Sequence, residues 1–157
     1  SRGMAGELGH VICFPEGREC GCGRQGCLEQ YVAANGIYRT YTELCQQLKQ
    51  VPKAGDYRSL SILAKAGDSI AIDTYQRTGK ILGTALANMA CCYDPSHIFI
   101  FGGVAQAGEV LMEPTRQAFE KNLLFCYKNH IKLELSGLMA TSKNAGILGA
   151  AALANMQ

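Results

Sequence analysis

Apolar residues recur at spacings of three and four between about residues 68 and 93, the pattern of one face of a long helix. Asp68 stands where an N-cap is expected, so the pattern predicts the longest helix of the chain from there to about Tyr93. Gly79 and Gly83 lie one turn apart on it, either because another backbone approaches there or simply as tolerated small residues. One buried stripe is predicted, formed by Ile72, Tyr75, Gly79, Leu82, Leu86 and Met89.

Strand and helix patterns alternate after this helix. Residues 97–101 form a compact apolar run, which predicts a strand buried on both faces. A helix is predicted over about 109–124 with Pro114 inside it, then a strand over 132–135 and a small-residue helix over 145–156. This order predicts an α/β fold with a sheet covered by helices.

The first third of the chain is mostly loop and short helix. Residues 1–27 are predicted to be a glycine-rich loop with a short strand near its middle. A short helix is predicted over 28–35, and Gly36 is expected to end it. A second helix is predicted over 37–50. A third is expected to start at the N-cap Ser59 and end before Gly67.

Composition narrows the classes of function. The chain has 157 residues, of which 48% are hydrophobic and 18% charged, as in an ordinary globular domain. The net charge of +2 and the lack of a basic stripe argue against nucleic-acid binding.

Charged and polar residues interrupt every apolar stretch before about 18 residues, so no membrane span is expected. No secretion signal is visible, and a cytoplasmic location is therefore predicted.

Four side chains in the early loop have the chemistry of a zinc site. His10, Cys20, Cys22 and Cys27 supply one imidazole and three thiolates, a set that zinc binds tetrahedrally in closed, structural sites. Disulfides or free thiols are the alternative, but a chain without an export signal favours metal. Cys13 is close enough in sequence to be a minor alternative ligand.

Charges and other thiols around the set complete its description. Three thiolates and one Zn²⁺ leave one negative charge, which Arg18 and Arg24 are expected to offset in part. The cysteines outside the set are predicted to be small buried hydrophobic residues. They are Cys13, Cys45, Cys91, Cys92 and Cys126.

Polar groups near the set suggest a ligand site. The second ring nitrogen of His10 needs an acceptor, which is either a carbonyl or a hydroxyl of a bound ligand. Glu7 and Glu29 flank the set and are either solvated charges or acceptors for sugar hydroxyls. Gly102 and Gly103 follow the apolar strand and precede a helix, which suits a phosphate or nucleoside but also suits a tight turn.

Taken together, several segments resemble the ROK family of repressors, open reading frames and sugar kinases. They are GELGH, then nine residues, CGCGRQGCLE, a later IFGG ahead of a helix, and NAGILGAAAL near the end. The resemblance implies that residues 1–157 are the C-terminal lobe of an actin-like, hexokinase-like (ribonuclease H-like) ATPase fold. The zinc loop would span 10–27, the nucleotide-side part about 68–157, and the N-terminal lobe would be absent.

The resemblance also assigns roles to residues. It implies structural zinc on His10, Cys20, Cys22 and Cys27, and sugar hydroxyls on Glu7, His10 and Glu29. Gly102 and Gly103 would lie at the nucleotide. ATP with magnesium, a sugar substrate and a homodimer are implied as partners.

Two functions follow from the resemblance, and a third from the residues alone. The first is an ATP-dependent kinase for glucose or an N-acetyl-hexosamine. The general base and the Asp-Gly-Gly-Thr phosphate loop of such kinases belong to the N-terminal lobe, so this chain holds no catalytic residue and is predicted to be inactive alone. The alternative is a sugar-responsive transcriptional repressor, in which this lobe binds the effector and dimerises. The third is a zinc-stabilised α/β module that serves only for association.

Overall fold

A computed structural model gives the fold and describes residues 5–137. Five α-helices and two β-strands are found in that range. In chain order they are α1 Glu29–Val32, α2 Ala34–Gln47, α3 Tyr57–Lys65, α4 Ser69–Tyr93, β1 His97–Ile100, α5 Glu109–Asn122 and β2 Lys132–Leu135. Three short 3-10 helices span Leu8–His10, Val104–Ala107 and Phe125–Tyr127.

The predicted N-cap of the longest helix is confirmed. The Asp68 carboxylate accepts hydrogen bonds from the backbone N–H groups of Ile70 and Ala71, both at 3.1 Å. These bonds satisfy donors that the first turn of a helix leaves free. The helix ends at Tyr93, and Asp94 follows in the left-handed region at φ 44°.

The two glycines of α4 are sites of close approach by α5. A Cβ on Gly79 would lie 2.7 Å from Cγ of Pro114, and a Cβ on Gly83 would collide with the backbone oxygen of Thr115. Of the two explanations for this pair, the structure therefore supports the approach of another backbone. Pro114 lies inside α5, as predicted.

The predicted buried stripe of α4 is only partly correct. Tyr75 and Gly79 are buried, but the other four predicted positions are half-buried. The buried face is made mainly of small side chains because α5 packs against it at backbone distance. The buried residues of α4 are Ile70, Ala71, Thr74, Tyr75, Thr78, Gly79, Gly83, Ala85, Ala87 and Ala90.

β1 and β2 form a parallel pair, in register from His97 opposite Lys132 to Ile100 opposite Leu135. With α5 between them in sequence, the pair gives the predicted α/β arrangement. The prediction that the first strand is buried on both faces is wrong for the described residues, since Phe99 is 55% exposed. The inward face packs on α4 and α5, and no described helix covers the opposite face, where Phe99 lies.

Two predicted helix boundaries are also wrong. The break between α1 and α2 lies at Ala33, whose backbone is extended, and Gly36 is buried inside α2. Its lack of a side chain admits the Gln30 carbonyl group, which would lie 2.5 Å from a Cβ at residue 36. Asp56, not Ser59, is the N-cap of α3, and Ser59 completes a capping box as its third helical residue.

The core has two parts along α4. One lies where the first half of α4 meets α2 and α3, around Tyr41, Leu60 and Tyr75. The other lies where its second half meets α5 and the strands, around Phe119. The predicted helix over 145–156 lies outside the described residues. Among residues 5–137, no helix combines the length and the hydrophobicity needed to cross a bilayer.

Candidate metal centre

Two short antiparallel contacts fold the early loop so that distant residues meet. Ile12 bridges to Cys27, and the Leu28 N–H donates to the Val11 carbonyl at 2.9 Å. This contact carries His10, the residue before Val11, to the side of Cys27. The sequence-based prediction of a short strand here is met only by this isolated bridge.

A tight turn brings the other two cysteines to the same point. The Cys20 N–H donates to the Arg24 carbonyl at 2.8 Å. Gly26, just before Cys27, has φ of 75°, and a Cβ there would collide with the Phe14 carbonyl. Glycine is therefore required by both the backbone conformation and the space. Gly23 also has a positive φ, of 84°, so the loop geometry favours glycine at both positions.

The four predicted ligands converge. One ligand atom from each of His10, Cys20, Cys22 and Cys27 lies within 4.8 Å of the others. Nδ1 of His10 lies 3.6 Å from Sγ of Cys20, and the sulfurs of Cys22 and Cys27 are also 3.6 Å apart. A zinc tetrahedron with bonds of about 2.0–2.3 Å separates its ligand atoms by roughly 3.5–3.8 Å. The donor set and these two separations of 3.6 Å match such a site, whereas the limit of 4.8 Å for the whole group is wider than a closed tetrahedron.

The thiols of the cluster differ in acidity. A hydrogen bond from the Arg24 guanidinium lowers the pKa of Cys22 to about 6. Burial, followed by hydrogen bonding with Cys22, raises the pKa of Cys27 to about 11. Without metal the cluster therefore carries both thiolate and thiol at neutral pH, and a metal that binds all three sulfurs must displace protons.

The two arginines of the loop have different roles. Arg24 contacts the cluster, as predicted, and also donates to the His10 carbonyl at 2.9 Å. The expectation that Arg18 offsets the cluster charge is wrong, because its guanidinium pairs with Glu43 at 2.6 Å. Arg18 also donates to the Gln30 carbonyl at 2.6 Å and so ties the loop to the helices.

The imidazole of His10 divides the site into two sides. Nδ1 faces the sulfur of Cys20, whereas Nε2 lies 4.0 Å from Oε2 of Glu7 and 4.0 Å from Oε2 of Glu29. These distances are too long for direct hydrogen bonds. A single hydroxyl oxygen can nevertheless lie about 2.8 Å from the nitrogen and from a carboxylate oxygen at once. The arrangement can thus receive a polyhydroxyl ligand.

One residue beside this site was missed by the sequence reasoning. The side-chain amide of Gln30 donates to Sγ of Cys20 at 3.6 Å and to Oε1 of Glu29 at 3.2 Å. Its position directly after Glu29, in a segment that follows the last cysteine, was the available signal.

The remaining cysteines only partly match expectation. Cys45 is buried and Cys13 half-buried, and burial raises the pKa of the Cys13 thiol. The prediction is wrong for Cys91, Cys92 and Cys126, which are exposed at the end of α4 and in a surface 3-10 helix. Cys13 is not in the group of converging ligands. All eight cysteines lie within the described range and are free.

The two glycines predicted to lie at the nucleotide, Gly102 and Gly103, are not part of the cysteine loop. Gly102 and Gly103 are exposed just after the carboxyl end of β1, and Gly102 has φ of 95°. A short 3-10 helix follows them before α5 begins. A Cβ on Gly103 would lie 2.6 Å from the Tyr57 hydroxyl oxygen, so a larger residue there would have to displace the end of that side chain.

An apolar groove of the described part of the chain is separate from this chemistry. It has a volume of about 620 Å³ and lies between the loop at Leu8–Phe14 and the Lys80–Tyr93 part of α4. Its lining is mainly apolar, and Glu7, His10 and Glu29 do not contribute to it. The converging polar groups, rather than the groove, mark the candidate ligand site.

Comparisons with known proteins give the family. The model of the ROK family matches residues 1–157. The chain is 35% identical to a glucokinase of Halalkalibacterium halodurans over 99% of its own length and 49% of the relative. It is 29% identical to the DNA-binding transcriptional dual regulator NagC of Escherichia coli, over 87% of its length and 34% of that protein.

A solved structure agrees with these matches. The crystal structure of a ROK family glucokinase from Streptomyces griseus, in complex with glucose and AMPPNP, superposes with a TM-score of 0.85 at 29% identity. The superposition covers 98% of this chain and 52% of that one. The chain spans about half the length of the glucokinases that it matches. It belongs to the ROK family.

Proposed function

We propose that this chain is the C-terminal lobe of an ATP-dependent sugar kinase with the actin-like, hexokinase-like fold. In this proposal His10, Cys20, Cys22 and Cys27 hold a structural zinc, and the imidazole orients a sugar hydroxyl. The observation that carries the proposal is the two-sided environment of His10, with thiols at Nδ1 and two carboxylates near Nε2.

Glu7, His10 and Glu29 are proposed to bind the sugar. Carboxylates accept hydrogen bonds from hydroxyl groups, and a metal bound at Nδ1 leaves the Nε2–H group as a donor of fixed direction. Orientation of the acceptor hydroxyl is a large part of phosphoryl transfer, because the reaction depends on positioning more than on covalent chemistry. Glucose is the first candidate, since several similar proteins carry the name glucokinase. An N-acetyl-hexosamine is the second.

The remaining parts of the proposal concern ATP and assembly. Gly102 and Gly103 would lie on the nucleotide side, within the part that spans about 68–157, and magnesium would accompany ATP. Their place after a parallel strand supports this, because ligands of such sheets bind at the carboxyl ends of strands. A homodimer and a cytoplasmic location belong to the same proposal.

The test starts with metal content and then measures sugar binding. We expect one zinc per chain in the purified protein, lost in Cys22→Ser but kept in Cys126→Ser, a matched change at an exposed thiol outside the cluster. Glucose binding by calorimetry should then weaken roughly 10-fold or more in Glu29→Gln, because a charged acceptor is removed. A folded chain without zinc, or glucose affinity unchanged in Glu29→Gln, would contradict the proposal.

The second candidate function is a sugar-responsive repressor. The similarity to NagC over 87% of the chain favours it specifically. Both functions use the same zinc and sugar contacts, so binding alone does not separate them. Phosphorylation of the bound sugar by the full-length protein would support the kinase. Sugar-dependent release from DNA, with no turnover of ATP, would support the repressor.

A further inference from the structure

The Cys20 sulfur and the Glu29 carboxylate lie side by side in the site. Sγ of Cys20 lies 3.9 Å from Oε1 of Glu29. As a thiol, Cys20 donates a hydrogen bond to that carboxylate. As a zinc ligand Cys20 would no longer donate this hydrogen bond, so its sulfur and the Glu29 oxygen would both be hydrogen-bond acceptors. Cys20 is 8% exposed, whereas the Glu29 side chain is 43% exposed, so the pair lies at the edge of the site.

The side chain of Gln30 bridges these two groups. Its Nε2 lies 3.6 Å from Sγ of Cys20 and 3.2 Å from Oε1 of Glu29. A primary amide has two N–H groups, so it can donate one to each acceptor. Hydrogen bonds to charged acceptors are the stronger ones, and this donor lies where the two negative groups meet.

The backbone of Gln30 is itself held in place. Its carbonyl accepts a hydrogen bond of 2.6 Å from the largely buried guanidinium of Arg18. Gly36 packs directly against the same peptide group. The amide therefore extends from a fixed backbone, which is what a residue that orients two others requires.

We propose that Gln30 is a positioning residue that couples the metal site to the sugar site. Its amide keeps the Cys20 thiolate and the Glu29 carboxylate side by side, so that Glu29 keeps the rotamer that receives the sugar hydroxyl. The sugar half of this inference rests on the proposed function, whereas the metal half rests on the cluster alone. Loss of the amide should therefore affect both metal retention and sugar affinity.

The main test variant is Gln30→Met, which keeps the length of the side chain and removes both donors. Gln30→Glu removes the donors and adds a third negative charge. Gln76→Met, at an exposed position of α4, is the matched control. Far-UV circular dichroism checks the fold of each variant. Gln30→Glu, which is equally long and more soluble, decides the question if Gln30→Met does not fold.

Two readouts concern the metal and need no sugar. Zinc release to a competing chelator should be roughly 10-fold faster in Gln30→Met, the usual effect of losing a partner of a metal ligand, and faster still in Gln30→Glu. In the cobalt-substituted chain, the sulfur-to-cobalt charge-transfer band should move to lower energy, because a thiolate that loses a hydrogen bond is more easily oxidised. Zinc stoichiometry should stay at one per chain.

The third readout is glucose affinity of the zinc-loaded protein, which should fall roughly 5- to 10-fold in Gln30→Met. Metal release and band position equal to those of Gln76→Met would overturn the inference. Altered metal readouts with unchanged glucose affinity would overturn the coupling. If the wild-type protein binds no glucose, the sugar half of the proposed function fails, and the two metal readouts alone then decide the role of Gln30.

Discussion

The side chain of Arg18 connects several parts of the site region. It is 9% exposed and reaches the Gln30 and Gly36 carbonyls, the Thr40 hydroxyl and the Glu43 carboxylate. Burial alone would raise the pKa of Glu43, but hydrogen bonds from Arg18 and Arg39 lower it. The planar guanidinium suits this set of acceptors because its donors are arranged as a rigid fork.

We therefore expect Arg18→Met to lower the free energy of unfolding by about 2–3 kcal/mol, because partly buried acceptors lose their donor. Arg18→Lys should recover only part of this loss, since an ammonium group cannot reach all four acceptors. Urea unfolding of the zinc-loaded chain measures both changes. Arg77→Met, in an exposed pair with Asp73, is the control and should change stability by less than about 0.5 kcal/mol. Equal losses in Arg18→Met and Arg77→Met would contradict the prediction.

At the level of secondary-structure elements, α4 can pack closely on α5 because Gly79 and Gly83 have no side chains. We expect Gly83→Ala to destabilise the chain by about 1–3 kcal/mol, although alanine favours helices, because its Cβ would meet the backbone oxygen of Thr115. Thermal unfolding measures the effect. Gly55→Ala is the control, since a Cβ there meets nothing within 4 Å. A stable Gly83→Ala protein would mean that the two helices separate at low cost.

The N-cap of α4 gives a prediction for pH. A hydrogen bond from Lys53, followed by one from the Ala71 N–H, lowers the pKa of Asp68 below its usual value of about 3.9. A carboxylate whose pKa is lower in the folded than in the unfolded state stabilises the fold at any pH above its unfolded-state pKa. This contribution is lost as the pH falls through the folded-state pKa. Asp68→Asn should therefore be less stable than wild type at pH 7, with a difference that shrinks below about pH 4.

Denaturant unfolding at pH 7 and pH 3 measures this difference. Asn can also cap a helix, so the comparison isolates the charge from the cap itself. Asp73→Asn changes an exposed carboxylate on the same helix and should have little effect at either pH. A difference between Asp68→Asn and wild type that is the same at both pH values would show that the charge contributes nothing.

At the scale of the whole molecule, the chain spans about half the length of its glucokinase relatives. We expect no phosphorylation of glucose by the 157-residue chain alone, because none of its residues is assigned as the base that takes the hydroxyl proton. A coupled assay for ADP release with glucose and magnesium ATP checks this, with the Halalkalibacterium halodurans glucokinase as positive control. Glucose-dependent ADP release by the chain would contradict the prediction.

Local chemistry made part of the fold and site predictable. Asp68 caps α4 through neighbours close in sequence, and the zinc-type ligands are recognisable by their residue types, so both were visible without a structure. The position of Gly36 inside a helix depends on the Gln30 carbonyl packed against it, and the role of Gln30 depends on a cysteine ten residues earlier. Such contacts exist only after folding, and a pattern of residue types does not contain them.

The exposure of Phe99 was missed for a different reason. A continuous apolar run predicts burial, and here half of that apolar surface faces outward from the two-stranded pair. An apolar run shows that a strand can pack against apolar surface on both faces. It does not show whether other described residues cover both faces.

Exposed thiols at the end of α4 and in the 3-10 helix Phe125–Tyr127 affect how the assembly of this protein should be measured. Cys91, Cys92 and Cys126 are open to solvent, so storage in air can link two chains covalently through them. Such a product has the mass of a dimer and would imitate the homodimer proposed above. A dimer that survives strong reductant, and that also forms when these three thiols are replaced by serine, has a non-covalent interface of its own.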